Sequence, residues 1–197
     1  VDVQARQALA EIDRLRAAVD ADFSVITELN ARKELTCRWV CNRCGSEVDP
    51  RAVRAHVITH AHEDHIGALP HLWPALRKPV YARKFTATIG RLKFEEAGHP
   101  KDAITTVEAR PQVITAGPFE VQFVPVAHSI PESAALVIDT PAGRIVHSGD
   151  FKLDPTPMVG EGWEDARFTE IAAERPVKAL MCDSTNVFSL HEGRSES

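Results

Sequence analysis

The sequence predicts a layered α/β fold, in which short buried strands alternate with amphipathic helices. Three patterns support this prediction. Apolar runs of strand length end in polar residues, and stretches with helical spacing lie between them. The turn Pro141-Ala142-Gly143 joins the last two of several consecutive strands as a hairpin. With 197 residues, of which 44% are hydrophobic and 26% charged, the chain has the composition of a globular domain.

The first element is an amphipathic helix over residues 3–20, because Leu9, Ile12, Leu15 and Val19 recur at spacings of three or four. The other predicted helices are 65–77, interrupted by Pro70 and Pro74, then 84–97 and 163–174. The predicted strands are 54–59, 80–82, 104–108, 119–126, 134–139, 144–148 and 177–182. Residues 155–162 have the composition of a loop.

A dense group of potential metal ligands follows the predicted strand 54–59. It has the pattern H-x-H-x-D-H and consists of His60, His62, Asp64 and His65. Imidazole nitrogens and carboxylate oxygens are the ligands that suit Zn²⁺ and similar ions. A strand end is also a usual place for ligands in an α/β sheet. We therefore predict a metal centre here, with the possibility of two neighbouring ions.

Two further ligands are expected from strand ends elsewhere in the chain. His128 follows the predicted strand 119–126, and Asp150 follows 144–148 after a glycine. Taken singly, a histidine before serine is more often a hydrogen-bonded loop residue, and Gly-Asp is a common turn. Beside the first cluster, however, both residues become candidates for the same centre.

Four segments of the chain resemble a known enzyme family in order and approximate spacing. They are ITHAHEDHIGALPHLWP (58–74), KPVYARKFT (78–86), AHSIPESAALVIDTPAGRIVHSGDFKLDPTP (127–157) and ALMCDSTNVFS (179–189). Together they resemble the metallo-β-lactamase-fold nucleases of the β-CASP type, and specifically the bacterial ribonuclease J group. The resemblance implies an αββα sandwich, incomplete in this chain.

The resemblance also implies a role for each candidate residue. His60, His62 and His128 correspond to ligands of a first zinc, Asp64 and His65 to ligands of a second, and Asp150 to the bridging carboxylate. Asp183 corresponds to an acidic residue that supports the histidines from outside the ligand shell. Asp64, Asp150 and Asp183 are thus the expected catalytic carboxylates, with two Zn²⁺ or alternatively Mn²⁺. Weaker expectations concern the polar residues Ser129, Ser184 and Asn186, which would meet substrate phosphate, and His147, which would support the site.

The activity that the resemblance implies is hydrolysis of RNA phosphodiester bonds, both from the 5′ end and internally. RNA is the implied substrate, and full-length members are expected to form homo-oligomers. Two alternatives stay open. The chain could belong to another metallo-β-lactamase-fold hydrolase acting on thioesters or lactones, or it could be a non-catalytic remnant.

Two departures from the family divide the chain into an unmatched segment, 1–52, and a partial metallo-β-lactamase domain, 53–197. The first segment lacks the family's glycine-rich opening, so its two opening strands are expected to be missing. The second stops where the β-CASP domain would begin. We therefore expect weak or no activity from this chain alone.

The cysteines give a less specific signal. Cys37, Cys41 and Cys44 form C-x₃-C-x₂-C, which resembles half of a structural zinc site but lacks a second pair. Free thiols are the simpler interpretation, although Cys37 or His56 could complete such a site. Cys182 ends an apolar strand and is expected to be a small core residue.

Charge and hydropathy indicate a cytoplasmic protein without a membrane span. No apolar run approaches 18 residues, and the N-terminus has no signal-peptide pattern. The formal net charge is −5, from 28 acidic and 23 basic residues. That balance argues mildly against a stand-alone RNA-binding surface. It is compatible with a nuclease whose bound ions supply the local positive charge.

Overall fold

A computed structural model describes residues 52–185 in full, together with the backbone of two earlier strands at 23–29 and 35–41. The chain divides into two compact units, Val1–Val53 and Arg54–Ser197. The predicted helix 3–20 lies outside the described residues, as do Cys44 and Asn186.

The described part of the first unit is an antiparallel pair of strands, β1 (Phe23–Leu29) and β2 (Leu35–Cys41), with Phe23 opposite Cys41. The expectation that strands are missing from residues 1–52 is therefore wrong. β-Branched and aromatic residues in FSVITEL and LTCRWVC favour extended backbone without any glycine-rich signature. Cys37 and Cys41 both lie on β2.

The second unit begins with a three-stranded parallel sheet. Its strands are β3 (His56–Ile58), β4 (Val80–Ala82) and β5 (Ile104–Thr106), in that spatial order. Three helices connect them: α1 (Glu63–Ile66) and α2 (Leu69–Leu76) lie between β3 and β4, and α3 (Lys84–Glu96) lies between β4 and β5. Parallel strands need such crossovers, so the carboxyl ends of β3 and β4 meet at one edge of the sheet.

A five-stranded mixed sheet follows, in the spatial order β10-β9-β8-β7-β6. Its strands are β6 (Ile114–Ala116), β7 (Phe119–Pro125), β8 (Ala134–Thr140), β9 (Gly143–His147) and β10 (Val177–Met181). Neighbours from β6 to β9 pair antiparallel, whereas β10 pairs parallel with β9. Helix α4 (Asp165–Glu174) provides the crossover to β10.

Three apolar clusters show that these elements form four layers. In the first, Ile66 of α1 and Phe94 of α3 pack against Val80 of the three-stranded sheet. In the second, Val57 and Tyr81 pack against residues of β7 and β8, so the two sheets face each other. In the third, Ile171 of α4 packs on the other face of the larger sheet. The order helix, sheet, sheet, helix confirms the predicted αββα sandwich.

Most element positions within the second unit agree with the sequence prediction, but three details differ. The predicted helix 65–77 is two helices that separate at Gly67 and Ala68, ahead of Pro70 rather than at it. Proline fits the first turn of α2, where an amide hydrogen has no helical partner. Strand β6 was not predicted. Cys182, expected in the core, is exposed, because it follows the edge strand β10.

Within the described residues, no helix combines the length and the apolar character needed to cross a bilayer.

The core between the sheets gives a first prediction. Phe123 of β7 is 1% exposed, whereas Phe119 of the same strand is 38% exposed. We expect Phe123→Ala to lower the free energy of unfolding by about 3–5 kcal/mol, because it leaves a cavity between the two sheets. The matched change Phe119→Ala should cost about 1 kcal/mol. Urea denaturation of both variants measures the difference, and equal losses would contradict the assignment of this core.

Candidate metal centre

The candidate ligands lie where strands of both sheets end. Residues 59–65 follow β3, His128 lies in the loop between β7 and β8, and Asp150 follows β9. Backbone hydrogen bonds hold these segments together. The amide of Ala134 donates to the carbonyl of Thr59 at 3.2 Å, and that of Lys152 donates to Ala127 at 2.8 Å. The end of β3, the His128 loop and the Asp150 turn therefore form one surface.

The structure brings three of the predicted histidines into one potential ligand group, His60, His62 and His128. Nε2 of His128 lies 3.1 Å from Nδ1 of His62. The ring centroids of His60 and His62 are 4.9 Å apart, as are those of His60 and His128. Zn–N bonds of about 2.0–2.1 Å place two nitrogens on one tetrahedral ion a little over 3 Å apart. The His62–His128 separation fits that geometry.

A second potential ligand group consists of His60, His65 and Asp150. One carboxylate oxygen of Asp150, Oδ1, lies 3.3 Å from Nε2 of His65. The other, Oδ2, lies 3.9 Å from Nε2 of His60 and 3.8 Å from Nε2 of His128. Each oxygen of Asp150 thus faces a different part of the cluster, and His60 is common to both groups.

His60 shows most clearly that the cluster suits a cation. Its ring is fully buried, at 0% exposure, and its Nε2 has no hydrogen-bond partner among the described residues. Nδ1 lies 3.1 Å from the hydroxyl oxygen of Thr59. In the tautomer with a proton on Nδ1, the ring donates to Thr59 and leaves the Nε2 lone pair free for a metal ion.

The electrostatics of the cluster keep His60 neutral. The pKa of His60 is lowered to about 3, mainly by burial and to a smaller extent by the neighbouring rings of His65, His128 and His62. Burial also lowers the pKa of His147, whose Nδ1 accepts a hydrogen bond from the amide of Gly149 at 2.9 Å. Neutral imidazole is the form that binds metals, so the residues present fit a metal centre.

Asp64 occupies a different position from the other predicted ligands. Its side chain is 78% exposed, its Oδ2 lies 3.6 Å from Nε2 of His65, and it belongs to neither ligand group. Its position as the first-turn residue of α1 turns the carboxylate toward solvent.

Asp183 lies beside the centre and is held by a small network of hydroxyl groups. Its amide donates to Oγ of Ser148 at 2.9 Å, and its Oδ1 accepts from the amide of Thr185 at 2.9 Å and from the Thr185 hydroxyl at 2.6 Å. These hydrogen bonds from Thr185 are the main reason that the pKa of Asp183 lies below its usual value. The hydroxyl of Ser148 also donates to the carbonyl of Gly149 at 2.6 Å.

The turn that carries Asp150 depends on a glycine. Gly149 has φ +59, and a Cβ at that position would stand 2.8 Å from the carbonyl oxygen of Ala134 and 3.3 Å from Cβ of Thr59. Both the left-handed backbone and the close approach of two segments require the absence of a side chain.

Sequence reasoning did not identify Thr59 or Ser148, because a hydroxyl before a ligand carries no specific pattern.

The remaining polar residues have mixed outcomes. Ser129 lies at the centre, with Oγ 3.5 Å from Nε2 of His62, while Ser184 is exposed. Of two histidines outside the centre, His71 is exposed. His99 is half-buried, because it packs on Trp73 and Phe94 and its Nε2 contacts the carbonyl of Pro70 at 2.7 Å.

Comparison with known proteins identifies the family. The profile of the Beta-lactamase superfamily domain matches residues 16–184. The chain belongs to this superfamily. The superfamily match includes β1 and β2, and therefore begins inside the segment that the sequence analysis left unmatched.

Within the superfamily, the chain is similar to the ribonuclease J group, which confirms the resemblance drawn from its motifs. It is 47% identical over 147 residues to ribonuclease J of Sinorhizobium meliloti, covering 75% of this chain and 26% of that protein. It is 40% identical over 141 residues to ribonuclease J of Thermus thermophilus, covering 68% of this chain and 24% of that protein. The chain thus spans about a quarter of the length of these relatives.

Among solved structures, a protein of unknown function from Enterococcus faecalis V583 is similar in fold. It superimposes with a TM-score of 0.53 and 22% sequence identity, over 77% of this chain and 36% of that one. This similarity concerns the fold alone.

The low pKa of His60 predicts how the stability of the metal-free protein depends on pH. The unfolded chain binds a proton on His60 near its ordinary pKa of 6.5, but the folded chain does so only near 3. The contribution of neutral His60 is therefore complete above pH 6.5 and is lost progressively as the pH falls toward 3. His60→Gln removes this titration, so its free energy of unfolding should fall less steeply over that range.

Urea denaturation at a series of pH values measures both slopes. The exposed His71 provides the control, since His71→Gln should leave the wild-type slope unchanged. A His60→Gln slope equal to that of the wild type would show that His60 is not held neutral by the fold.

Proposed function

We propose that the chain is the metal-binding part of a ribonuclease that hydrolyses RNA phosphodiester bonds. The observation that carries this proposal is the pair of potential ligand groups that share His60, the second of which includes the carboxylate of Asp150. The similarity to proteins named ribonuclease J supports RNA as the substrate. Because the chain spans about a quarter of those proteins, we expect weak or no activity from it alone.

In this proposal the centre holds two Zn²⁺ ions, or alternatively Mn²⁺. His60, His62 and His128 would hold one, while His65 and Asp150 would hold the other with a contribution from Asp64. The two oxygens of Asp150 face different histidines, at 3.3 Å from His65 and 3.8 Å from His128, so its carboxylate would be available to both ions. Ions bound here would supply Lewis-acid activation of water and of the phosphoryl oxygens.

The protein's own groups orient this chemistry. Thr59 holds the ring of His60 through Nδ1, and the hydroxyl of Ser148 holds the backbone of Asp183. Such partners set the orientation and basicity of ligands. The hydroxyl of Ser129, beside His62, is placed to meet a phosphate oxygen. Asp64, Asp150 and Asp183 are the proposed catalytic carboxylates, with Asp183 acting through its neighbours.

The wider setting follows from the same proposal. The substrate is RNA, the compartment is the cytoplasm, and the full-length protein forms homo-oligomers. Cleavage from the 5′ end and internal cleavage are both compatible with an in-line displacement at this centre.

Zinc binding tests the centre independently of catalysis. We expect Asp150→Asn to lower zinc affinity at least about tenfold, because the change removes the negative charge of the only carboxylate within the two ligand groups of the described residues. The exposed Asp102, which lies just before β5 begins at Ile104, offers a matched control, and Asp102→Asn should bind zinc as the wild type does. Equilibrium titration against a competing chelator provides the measurement. A wild-type chain that binds neither zinc nor manganese would favour the non-catalytic remnant instead.

RNA cleavage tests the activity itself. We expect His62→Ala and Asp150→Ala each to abolish phosphodiesterase activity while circular dichroism shows a folded protein. His71→Ala, at an exposed histidine, should retain the wild-type rate. The assay uses labelled RNA at high protein concentration with long incubation, since the rate of this chain is expected to be low. RNA cleavage that persists unchanged in both site variants would refute the site.

A substrate panel separates the proposed ribonuclease from a thioester or lactone hydrolase. The same zinc-loaded protein is offered RNA, a thioester and a lactone. Turnover of RNA alone supports the proposal, whereas metal-dependent turnover of only the thioester or the lactone supports the rival class.

A further inference from the structure

The loop that carries His128 contains a residue in an unusual backbone conformation. Glu132, four residues after His128, has φ +57. Residues with a Cβ rarely adopt this left-handed region, and they persist there only where surrounding contacts hold them. Two hydrogen bonds close the loop around it: the amide of Val126 donates to the carbonyl of Ser133 at 3.1 Å, and the hydroxyl of Ser133 donates to the carbonyl of Ile130 at 3.2 Å.

The side chain of Glu132 leaves this loop and contacts the start of helix α3. One carboxylate oxygen, Oε2, accepts a hydrogen bond from the amide of Phe85, in the first turn of that helix. The amides of a first helical turn have no partner within the helix, and the helix dipole favours a negative charge there. The carboxylate of Glu132 therefore caps α3 from a distant part of the chain.

A buried arginine strengthens the same contact. Arg83, immediately before α3, is 6% exposed. Its Nη2 lies 3.8 Å from Oε1 of Glu132 and 3.4 Å from Oε1 of Glu161, while its Nε and Nη1 have no hydrogen-bond partner among the described residues. Each carboxylate near a buried guanidinium with few partners is stabilising, because a buried charge without a partner is unfavourable.

We propose that Glu132 is a positioning residue, whose carboxylate fastens the His128 loop to the first turn of α3 and so holds His128 against His62. This inference rests on the proposed metal centre. His62 and His128 come from segments 66 residues apart and stand only 3.1 Å from each other at their facing nitrogens. The end of β3 supports His62, and the backbone bond from Lys152 to Ala127 supports the residue before His128. Glu132 supplies a further, charged anchor for the His128 loop, four residues after His128.

The test combines a measurement on the metal-free protein with one on metal binding, in the full 197-residue chain. Glu132→Ala removes the anchor, and Glu132→Gln keeps a carbonyl oxygen for the Phe85 amide but loses the charge. Glu132→Gly removes the anchor and also relieves the left-handed backbone. Glu161→Gln is the control, because it removes the other carboxylate that faces Arg83 without touching the His128 loop.

We expect amides of residues 127–133 in the metal-free Glu132→Ala protein to exchange with solvent at least about tenfold faster, since a charge-assisted contact is lost. Zinc affinity should fall by about 10–100-fold, as for other groups that orient ligands from outside the shell. Glu132→Gly should match Glu132→Ala, Glu132→Gln should be intermediate, and Glu161→Gln should resemble the wild type. Because Arg83 retains Glu161 in each Glu132 variant, the protein should stay folded, which thermal unfolding checks.

Three results would overturn the inference in distinguishable ways. Unchanged exchange in Glu132→Ala would show that the carboxylate does not anchor the loop. Faster exchange with unchanged zinc affinity would show an anchor that has no effect on the ligands. A wild-type chain that binds no zinc would overturn the proposed metal centre and the positioning role together, whatever the exchange rates.

Discussion

The neutral, buried imidazole of His60 is the constraint on which the rest of the centre depends. It belongs to both ligand groups, it has no exposure to solvent, and its pKa of about 3 keeps it uncharged throughout the physiological range. Burial removes the water that would stabilise a protonated ring at this position, and three neighbouring histidines add to the penalty for placing a charge there. The fold therefore brings several imidazole nitrogens close together around a ring that stays uncharged. This arrangement favours a positive charge supplied by a bound metal cation.

Two kinds of contact make this arrangement possible. A backbone bond between the end of β3 and the start of β8 joins the two sheets at the edge where the candidate ligands lie, and a bond between Lys152 and Ala127 joins the segments that follow β9 and β7. Side-chain contacts then set individual groups, as Thr59 does for His60 and Glu132 does for the His128 loop. Strand ends give approximate positions, and hydroxyl and carboxylate partners give the orientation that a metal centre needs.

The sequence allowed much of the second unit to be predicted, together with the residues that the structure brings into the two potential ligand groups, because their signals are local. His60, His62 and His65 lie in one short motif, and strand ends pointed to His128 and Asp150. Strands β1 and β2 were missed because the expectation of a glycine-rich opening outweighed the β-branched content of those segments. Contacts between residues far apart in the sequence, such as Glu132 with Phe85 or Ser148 with Asp183, could not be predicted, because no local sequence pattern indicates them. The exposure of Cys182 likewise depends on which strand stands at the sheet edge, a tertiary property.

Strand β10 has a practical consequence for work with this chain. It stands at the end of the five-stranded order, and Val177, Leu180 and Met181 are among its exposed apolar side chains. Among the described residues, no strand pairs with its outer edge, and such an edge beside exposed apolar residues forms a template on which another extended segment can add. At the concentrations needed for calorimetry or spectroscopy, self-association should begin at strand β10. Introducing a charged side chain on this strand should reduce self-association more effectively than changing a buried residue.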